Sequence, residues 1–495
     1  MAVASFIESD RPLEPSELTG DARKSAWTTA LLVVGLAALS LSLIFFAGRS
    51  SPDGAVEDGC AIAILWVAAV PTWRFIVSRR RMTPLLAAIC AVYATYYAWP
   101  RFSSRPLFGD ILWGGGGTVE GVQGALTVAL IGLLCLLIGY ESTGRFVERA
   151  PSITRAIDLK RAMPFLMGCS AVSLAVRLLT MGVDAKVLGQ TLAVVQGVGE
   201  MAMGGLLLAY LRGELRFGYK LWLVGFMLMQ ILLGIGSGAL ALAVWPMAAA
   251  FFVYSWERRR FPYRAILIAV LLFFPLQAAK GDFRAKYGGR FESGLSGGNV
   301  VNYALIYLSF AERTLTEGDS ETFYQSSGRA NQLGTLAVVV SQTPAYVPYW
   351  GGYTLSDLPW HFIPRFLVPD KPSPAIGQEF PRRYGVLDWQ DTVTSYNLPQ
   401  LVELYANFGN VGVVIGMLLI GTVYRFLDHV LSQSTGGILI AAPLLARMMN
   451  IESNISAVFG GLPFLMIAYY LFIRLLPPVP NLANQTVGQA GSASS

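Results

Sequence analysis

Apolar stretches of about 20 residues, the length a helix needs to cross a bilayer, recur along most of this chain. A backbone in hydrocarbon must satisfy its own N–H and C=O groups, as a helix does, so the repeated runs predict an all-α polytopic membrane protein. Composition agrees. Of 495 residues, 54% are hydrophobic and 14% charged, against about 25% charged in soluble domains, which argues against a water-soluble enzyme. The net charge of +6 is no nucleic-acid footprint, because most of the excess sits in short loops between apolar runs. Cys60, Cys90, Cys135 and Cys169 fall inside such runs without metal-ligand spacing, so neither a disulfide framework nor a zinc site is expected. His361 and His429 are the only histidines, which leaves little material for histidine-based chemistry.

About twelve spans are expected, at 27–48, 60–77, 82–99, 121–140, 162–182, 190–212, 218–238, 240–256, 263–279, 406–427, 435–452 and 457–476. Residues 1–26 are polar, carry Pro12 and Pro15 and lack a signal-peptide core. Residues 477–495, rich in Gly, Ser, Ala and Gln from Asn481 onward, read as a disordered tail. Lysine and arginine set the orientation. Arg23–Lys24, Arg79–Arg81, Arg145 to Arg161, Arg212 to Lys220 and Arg258 to Arg264 all fall on one side of a twelve-span register. Both termini are therefore expected in the cytoplasm and residues 280–405 outside it, as one large loop. That segment holds ten lysines and arginines against twelve acids, so it escapes the cytoplasmic charge bias. Its tryptophans, tyrosines and prolines argue for structure and function rather than disorder. Within it, 299–315 and 329–342 read as short helices, apolar on one side, suited to lie on the membrane surface.

The chemistry available outside is arginine, aromatic and acid. Arg284 and Arg290 follow a span, Arg329 opens Arg-Ala-Asn-Gln-Leu, and Arg365 sits in Phe-Ile-Pro-Arg-Phe ahead of Lys371. Guanidinium forks match phosphate oxygens, while aromatic rings offer apolar faces to sugars and polar tips to their hydroxyls. A lipid-linked saccharide diphosphate suits that mixture. Glu403, in Glu-Leu-Tyr-Ala-Asn-Phe-Gly at the mouth of a span, is the candidate acid or base. The plainer reading stands beside this one: arginines after spans are often solvated or headgroup-bound, the prolines fix a loop, and His361 beside Trp360 packs at the interface. Inside the membrane, Arg177 and Glu200 stand out as costly charges, with direct pairing needing a long reach or a water. Gly197, Gly199, Gly204, Gly205, Gly234 to Gly238, Gly412 and Gly416 read as close-packing positions.

The order Arg329, Thr343-Pro, Tyr349 to Gly352, Ile363-Pro-Arg-Phe, Pro369-Asp-Lys-Pro and Glu403-Leu-Tyr-Ala-Asn-Phe-Gly resembles the oligosaccharide repeat-unit polymerases, the Wzy-type enzymes of O-antigen, capsule and exopolysaccharide assembly. The likeness covers the whole topology loosely and residues 280–420 more specifically. It implies a GT-C-like fold in a bacterial inner membrane, with a periplasmic loop. It further implies metal-free transfer, without a cofactor, of a growing glycan from undecaprenyl diphosphate onto a new lipid-linked repeat unit. By that resemblance Arg365 and Arg329 hold diphosphate or glycan and Glu403 is the leading acid. Arg284, Arg290, Lys371, Trp350, Tyr353, Tyr405 and Asn407 complete the expected substrate site. A chain-length regulator and a flippase are the implied partners. Other readings remain: an O-antigen ligase with the same donor, a polyprenyl-phosphate-sugar transferase using Glu57 and Asp58, a lipid-linked oligosaccharide transporter, or a scaffold for polysaccharide assembly.

Overall fold

The structure, a computed structural model, describes residues 29–43, 54–77, 82–102, 121–180, 189–238, 240–294, 300–317, 331–363, 368, 376–391 and 395–479. Arg329, Arg365, Lys371, both chain ends and the Arg79–Arg81 loop lie outside them. The apolar runs form α1 (Thr29–Leu43), α2 (Gly54–Val77), α3 (Leu85–Tyr97), α4 (Val122–Ser142), α5 (Leu159–Leu179) and α6 (Gly189–Leu211). They continue as α7 (Phe217–Gly236), α8 (Ala241–Arg258) and α9 (Tyr263–Gly294). The long outer segment contributes α10 (Val300–Glu317), α11 (Gln332–Gln342) and α12 (Ile376–Arg383). Then come α13 (Gln400–Leu431), α14 (Thr435–Met448), α15 (Ile455–Phe459) and α16 (Leu462–Leu475). Among the described residues there is no strand, only an isolated bridge between Ile157 and Pro478.

Among the described residues, eight helices are long and apolar enough to cross a membrane: α2, α4, α5, α6, α7, α9, α13 and the α15–α16 stretch. α14 differs in kind. Its 14 residues are buried at every position except Arg447, the signature of a helix surrounded by protein rather than lipid. At 1.5 Å per residue it reaches only ~21 Å, short of a hydrocarbon core of about 30 Å, and its neighbours supply the apolar surroundings.

Glycine sets the closest helix crossing. A Cβ on Gly139 of α4 would lie 2.2 Å from the Leu418 carbonyl oxygen of α13, and one on Gly421 would lie 2.1 Å from the Leu136 carbonyl oxygen. The two helices therefore touch backbone to backbone, with dispersion between main chains taking the place of side-chain interdigitation. The glycines read from sequence as packing positions behave alike: a Cβ on Gly197 would strike the Tyr469 hydroxyl, on Gly205 Leu166, on Gly234 Ala243 and on Gly416 Leu404.

Polar contacts sort the chain into two ends, as alternating spans require. At one end Tyr140 donates to Asp428 (2.7 Å), Ile153 N to Val430 O (3.0 Å), Asp158 N to Pro477 O (2.9 Å) and Trp256 to Ser432 O (2.7 Å). At the other, Arg101 pairs with Glu57 and Asp58 (3.0 Å each) and Tyr96 donates to Glu452 (3.3 Å). Glu57 and Asp58, the acids of the polyprenyl-phosphate-sugar reading, are thus both engaged by one arginine.

Two boundaries and one placement differ from expectation. α9 does not stop at 279 but runs to Gly294: hydropathy marks only the stretch suited to lipid, and the helix continues past it despite Gly281, Gly288 and Gly289. α13 starts at Gln400 rather than 406, taking Glu403 out of the loop and into a helix. α11 does not lie on a surface: Leu333, Leu336, Ala337, Val338 and Val339 are buried, packed against α4 and α13. α10 does keep a bare apolar face, with Val301, Leu305, Leu308 and Leu315 exposed, while Tyr307 on the other face donates to the Leu276 carbonyl of α9 (2.7 Å).

Leucine at Gly139 must push two backbones apart, an overpacking cost of about 1–3 kcal/mol or more. Gly168 has nothing within 4 Å of its Cβ position. Gly139→Leu is therefore expected to lower the melting temperature in detergent by several degrees while Gly168→Leu leaves it unchanged. Equal behaviour of the two variants refutes the backbone contact.

Candidate functional site

The site grows from a break in α13. Gly409 has φ 61° and ψ −149°, a conformation essentially confined to glycine, and a Cβ there would also lie 2.6 Å from the Tyr349 hydroxyl. A break in a helix strands the carbonyls of the preceding turn. The outer segment satisfies them. Trp350 N donates to Ala406 O (3.0 Å) and Gly351 N to Asn407 O (3.2 Å). The Gly351–Gly352 turn, with φ 60° and 90°, then brings Gly352 N to the Asn407 side-chain oxygen (2.9 Å). The amide nitrogen of Asn407 donates to Thr354 Oγ1 (2.7 Å) and to Glu403 O (2.8 Å). Asn407 uses its donor and acceptor sides alike to fasten the loop to the helix.

Glu403 extends the same frame. Its carboxylate is 0% exposed and Oε2 accepts from Ile455 N at the start of α15 (2.6 Å). Thr354 lies beside the carboxylate, and Oε1 is buried with no hydrogen-bond partner among the described residues. The expected interfacial carboxylate is instead enclosed, because its helix begins earlier than hydropathy suggests and α15 folds over it. Close by, Gln400 N donates to Ile451 O (3.2 Å) and Ser456 Oγ to Thr354 O (3.5 Å). Three chain segments, 350–355, 400–407 and 451–456, are thereby locked at one end of the bundle.

On this frame stands an aromatic and cationic surface. Trp350, 6% exposed, carries the Arg383 guanidinium 4.5 Å from its ring centroid and the Tyr353 ring at 6.0 Å. Tyr353 donates to Glu379 (3.2 Å). The nearby carboxylate, and then burial, raise its phenol pKa, so the hydroxyl keeps its proton. Tyr384 shares a hydrogen bond with Thr343 (2.8 Å), and burial likewise raises it. Arg382 donates to Asp391 O (2.6 Å) beside Trp389. Tyr346, Tyr349, Tyr353, Trp389 and Phe408 are exposed, and Tyr405 is buried on the α13 side.

Of the residues expected from sequence, the structure gathers Trp350, Tyr353, Tyr405, Asn407 and Glu403. Arg284 and Arg290 are carried on α9, their side chains outside the described set. The sequence reading missed Arg382, Arg383 and Glu379. The signal was there: Glu-Phe-Pro-Arg-Arg-Tyr from 379 to 384 places an arginine pair on a short helix among aromatics. Comparison with protein-family models, curated proteins and solved structures finds no match to this chain.

Asn407→Ala deprives the Gly352 N–H of its acceptor and leaves Thr354 and the Glu403 carbonyl short of a donor. An unsatisfied buried polar group costs about 1–3 kcal/mol, so a clear fall in melting temperature is expected, with Asn407→Asp retaining part of the stability. An unchanged melting temperature for the alanine variant contradicts this bracing role.

Proposed function

We propose that the chain is an integral-membrane glycosyltransferase, a repeat-unit polymerase that moves a growing glycan from undecaprenyl diphosphate onto a new lipid-linked repeat unit. The observation that carries the reading is the exposed rings of Tyr346, Tyr349 and Tyr353 beside Arg383, which stacks on the buried Trp350, braced on the break of a membrane-length helix. A saccharide tethered to a bilayer presents sugar faces and a diphosphate at that height, and rings with hydrogen-bonding tips and fixed guanidiniums are what such a ligand requires. The chain lies in a bacterial inner membrane with this end in the periplasm and its termini in the cytoplasm.

In the proposed reaction the exposed Tyr353 ring holds the glycan, backed by the buried Trp350 and Tyr405. Asn407, whose side-chain polar atoms are all engaged in the frame, keeps that surface in place, and Glu403, whose Oε1 has no hydrogen-bond partner among the described residues, is the acid beside it. Arg329, Arg365 and Lys371 supply cationic donors to the departing diphosphate. Charge grows on the leaving oxygen as the bond breaks, so fixed cations favour the transition state over the ground state. Arg383 adds a cation adjacent to the ring surface.

Two measurements test this. Purified protein incubated with one defined undecaprenyl-diphosphate repeat unit is expected to yield a ladder of products. Arg365→Ala and Arg329→Ala are expected to slow it about 10²–10³-fold, as removal of an oxyanion donor does. No product from a competent substrate, or unaltered ladders in both variants, defeats the reading. For sidedness, cysteines at Tyr346 and Glu148, in a background lacking the native four, are expected to label from opposite faces, with Tyr346 reached from outside. Cytoplasmic labelling of Tyr346 removes the periplasmic assignment.

A further inference from the structure

Apart from the outer frame, the bundle encloses a second polar cluster. A cavity of about 20 Å³ is lined by Arg177 of α5, Gln196 and Glu200 of α6, Gln230 of α7, Trp245 of α8 and Arg447 of α14. Glycines draw its walls together. A Cβ on Gly197 would fall 1.7 Å from the Tyr469 hydroxyl and one on Gly199 2.2 Å from Ser173 Oγ, so α6 sits hard against α16 and α5. Glu200 is left only 8% exposed.

The charges do not meet directly. Arg177 donates to Gln230 and to Leu242 O (3.4 Å). Arg447 donates to Ala193 O (3.3 Å), a carbonyl shared with the Tyr469 hydroxyl (3.2 Å). Glu200 forms no ion pair with either arginine among the described residues, and its Oε2 is buried with no hydrogen-bond partner. An unpartnered carboxylate oxygen facing a cavity calls for a donor, since leaving it bare costs several kcal/mol.

The chemistry of the walls selects the occupant. A cation meets two guanidiniums and is repelled. An anion gives Glu200 no proton to accept and adds a like charge beside it. An uncharged hydroxyl does both jobs, donating to Glu200 while its oxygen accepts from arginine. The volume suits one group of that size, since about 10–15 Å³ measured in this way admits a water. A water and a substrate hydroxyl would meet the same partners there.

Position ties the cavity to the outer frame. Arg177 and Arg447 stand next to Leu179 and Met448, the last residues of their helices. From Arg447 the chain runs directly to Ile451 and Ile455, which bond Gln400 and Glu403. The cavity therefore lies toward the end of the bundle that carries Trp350 and Tyr353.

We propose that this cavity is the acceptor-hydroxyl site and that Glu200 is the proton acceptor, an inference that rests on the glycosyl-transfer reading above. The acceptor hydroxyl oxygen forms a bond to the anomeric carbon of the donor glycan. The bond from that carbon to the lipid diphosphate breaks, its electron pair leaving on the diphosphate oxygen. The hydroxyl proton passes to Glu200, while Arg177 and Arg447 orient the attacking oxygen.

The test uses the full chain with the defined lipid-linked repeat unit. A ladder from the unsubstituted protein, with Glu200→Gln slowed about 100-fold or more, is the scale expected for loss of a general base. The melting temperature of Glu200→Gln should stay at the starting value. Glu200→Asp should keep measurable activity with its acidic pH–rate limb displaced. A ladder from Glu200→Gln within about threefold of the starting rate, or loss accompanied by a lower melting temperature in both variants, overturns the role of Glu200 alone. No ladder from the unsubstituted protein overturns the transferase reading and this step with it.

Discussion

The broken turn at Gly409 is the constraint on which the outer architecture depends. A helix interrupted near a membrane cannot leave its carbonyls to water it does not have. Here Ala406 and Asn407 hand theirs to the backbone of Trp350 and Gly351. That exchange forces a particular loop to approach, in a particular register, with Gly351 and Gly352 in left-handed conformations to complete it. Everything exposed on that loop inherits the precision of a main-chain hydrogen-bond pattern. Tyr353, Trp350 and, through its ring, Arg383 are held by α13 as firmly as if they were part of it.

Hydropathy made the helical membrane class legible, because a 20-residue apolar stretch has few alternatives; of the twelve runs expected, eight membrane-length helices are seen among the described residues. It was poorer at helix ends. The run Lys280-Gly-Asp-Phe-Arg-Ala-Lys reads as a loop on polarity, yet helix geometry does not end where lipid does, and α9 continues to Gly294. The same error hid the start of α13: Gln400-Leu-Val-Glu is polar enough to look like loop, so Glu403 was expected at an interface. Its partner, Ile455 N, is 52 residues away, and no local pattern announces a backbone donor.

The candidate site was legible by residue type and less so by arrangement. Trp350, Tyr353, Tyr405 and Asn407 were singled out as ligand-facing, and the structure does assemble them. Asn407, however, spends all its polar groups on the frame, which sequence spacing cannot disclose. Arg383 escaped notice because its significance lies in the ring it covers, and stacking is a tertiary fact. Arg177 and Glu200 were recognised as costly charges whose direct pairing needs a long reach or a water. The glycines of α6, noted separately for packing, turn out to be the reason the two lie within one enclosure.

The outer frame and the buried cluster are mechanically one object. Arg447 closes α14, the most enclosed helix of the bundle, and the turn that follows it supplies Ile451 and Ile455 to Gln400 and Glu403. A shift of α14 along its axis therefore moves Arg447 in the cavity and strains Glu403 in the frame together. Packed cores do not deform continuously, so such a displacement has to be accommodated as a change of packing rather than a gradual drift. On the proposed glycosyl-transfer reading, a glycan bound at the aromatic surface is linked to the cavity by these backbone hydrogen bonds and the Arg447-to-Ile455 stretch of chain.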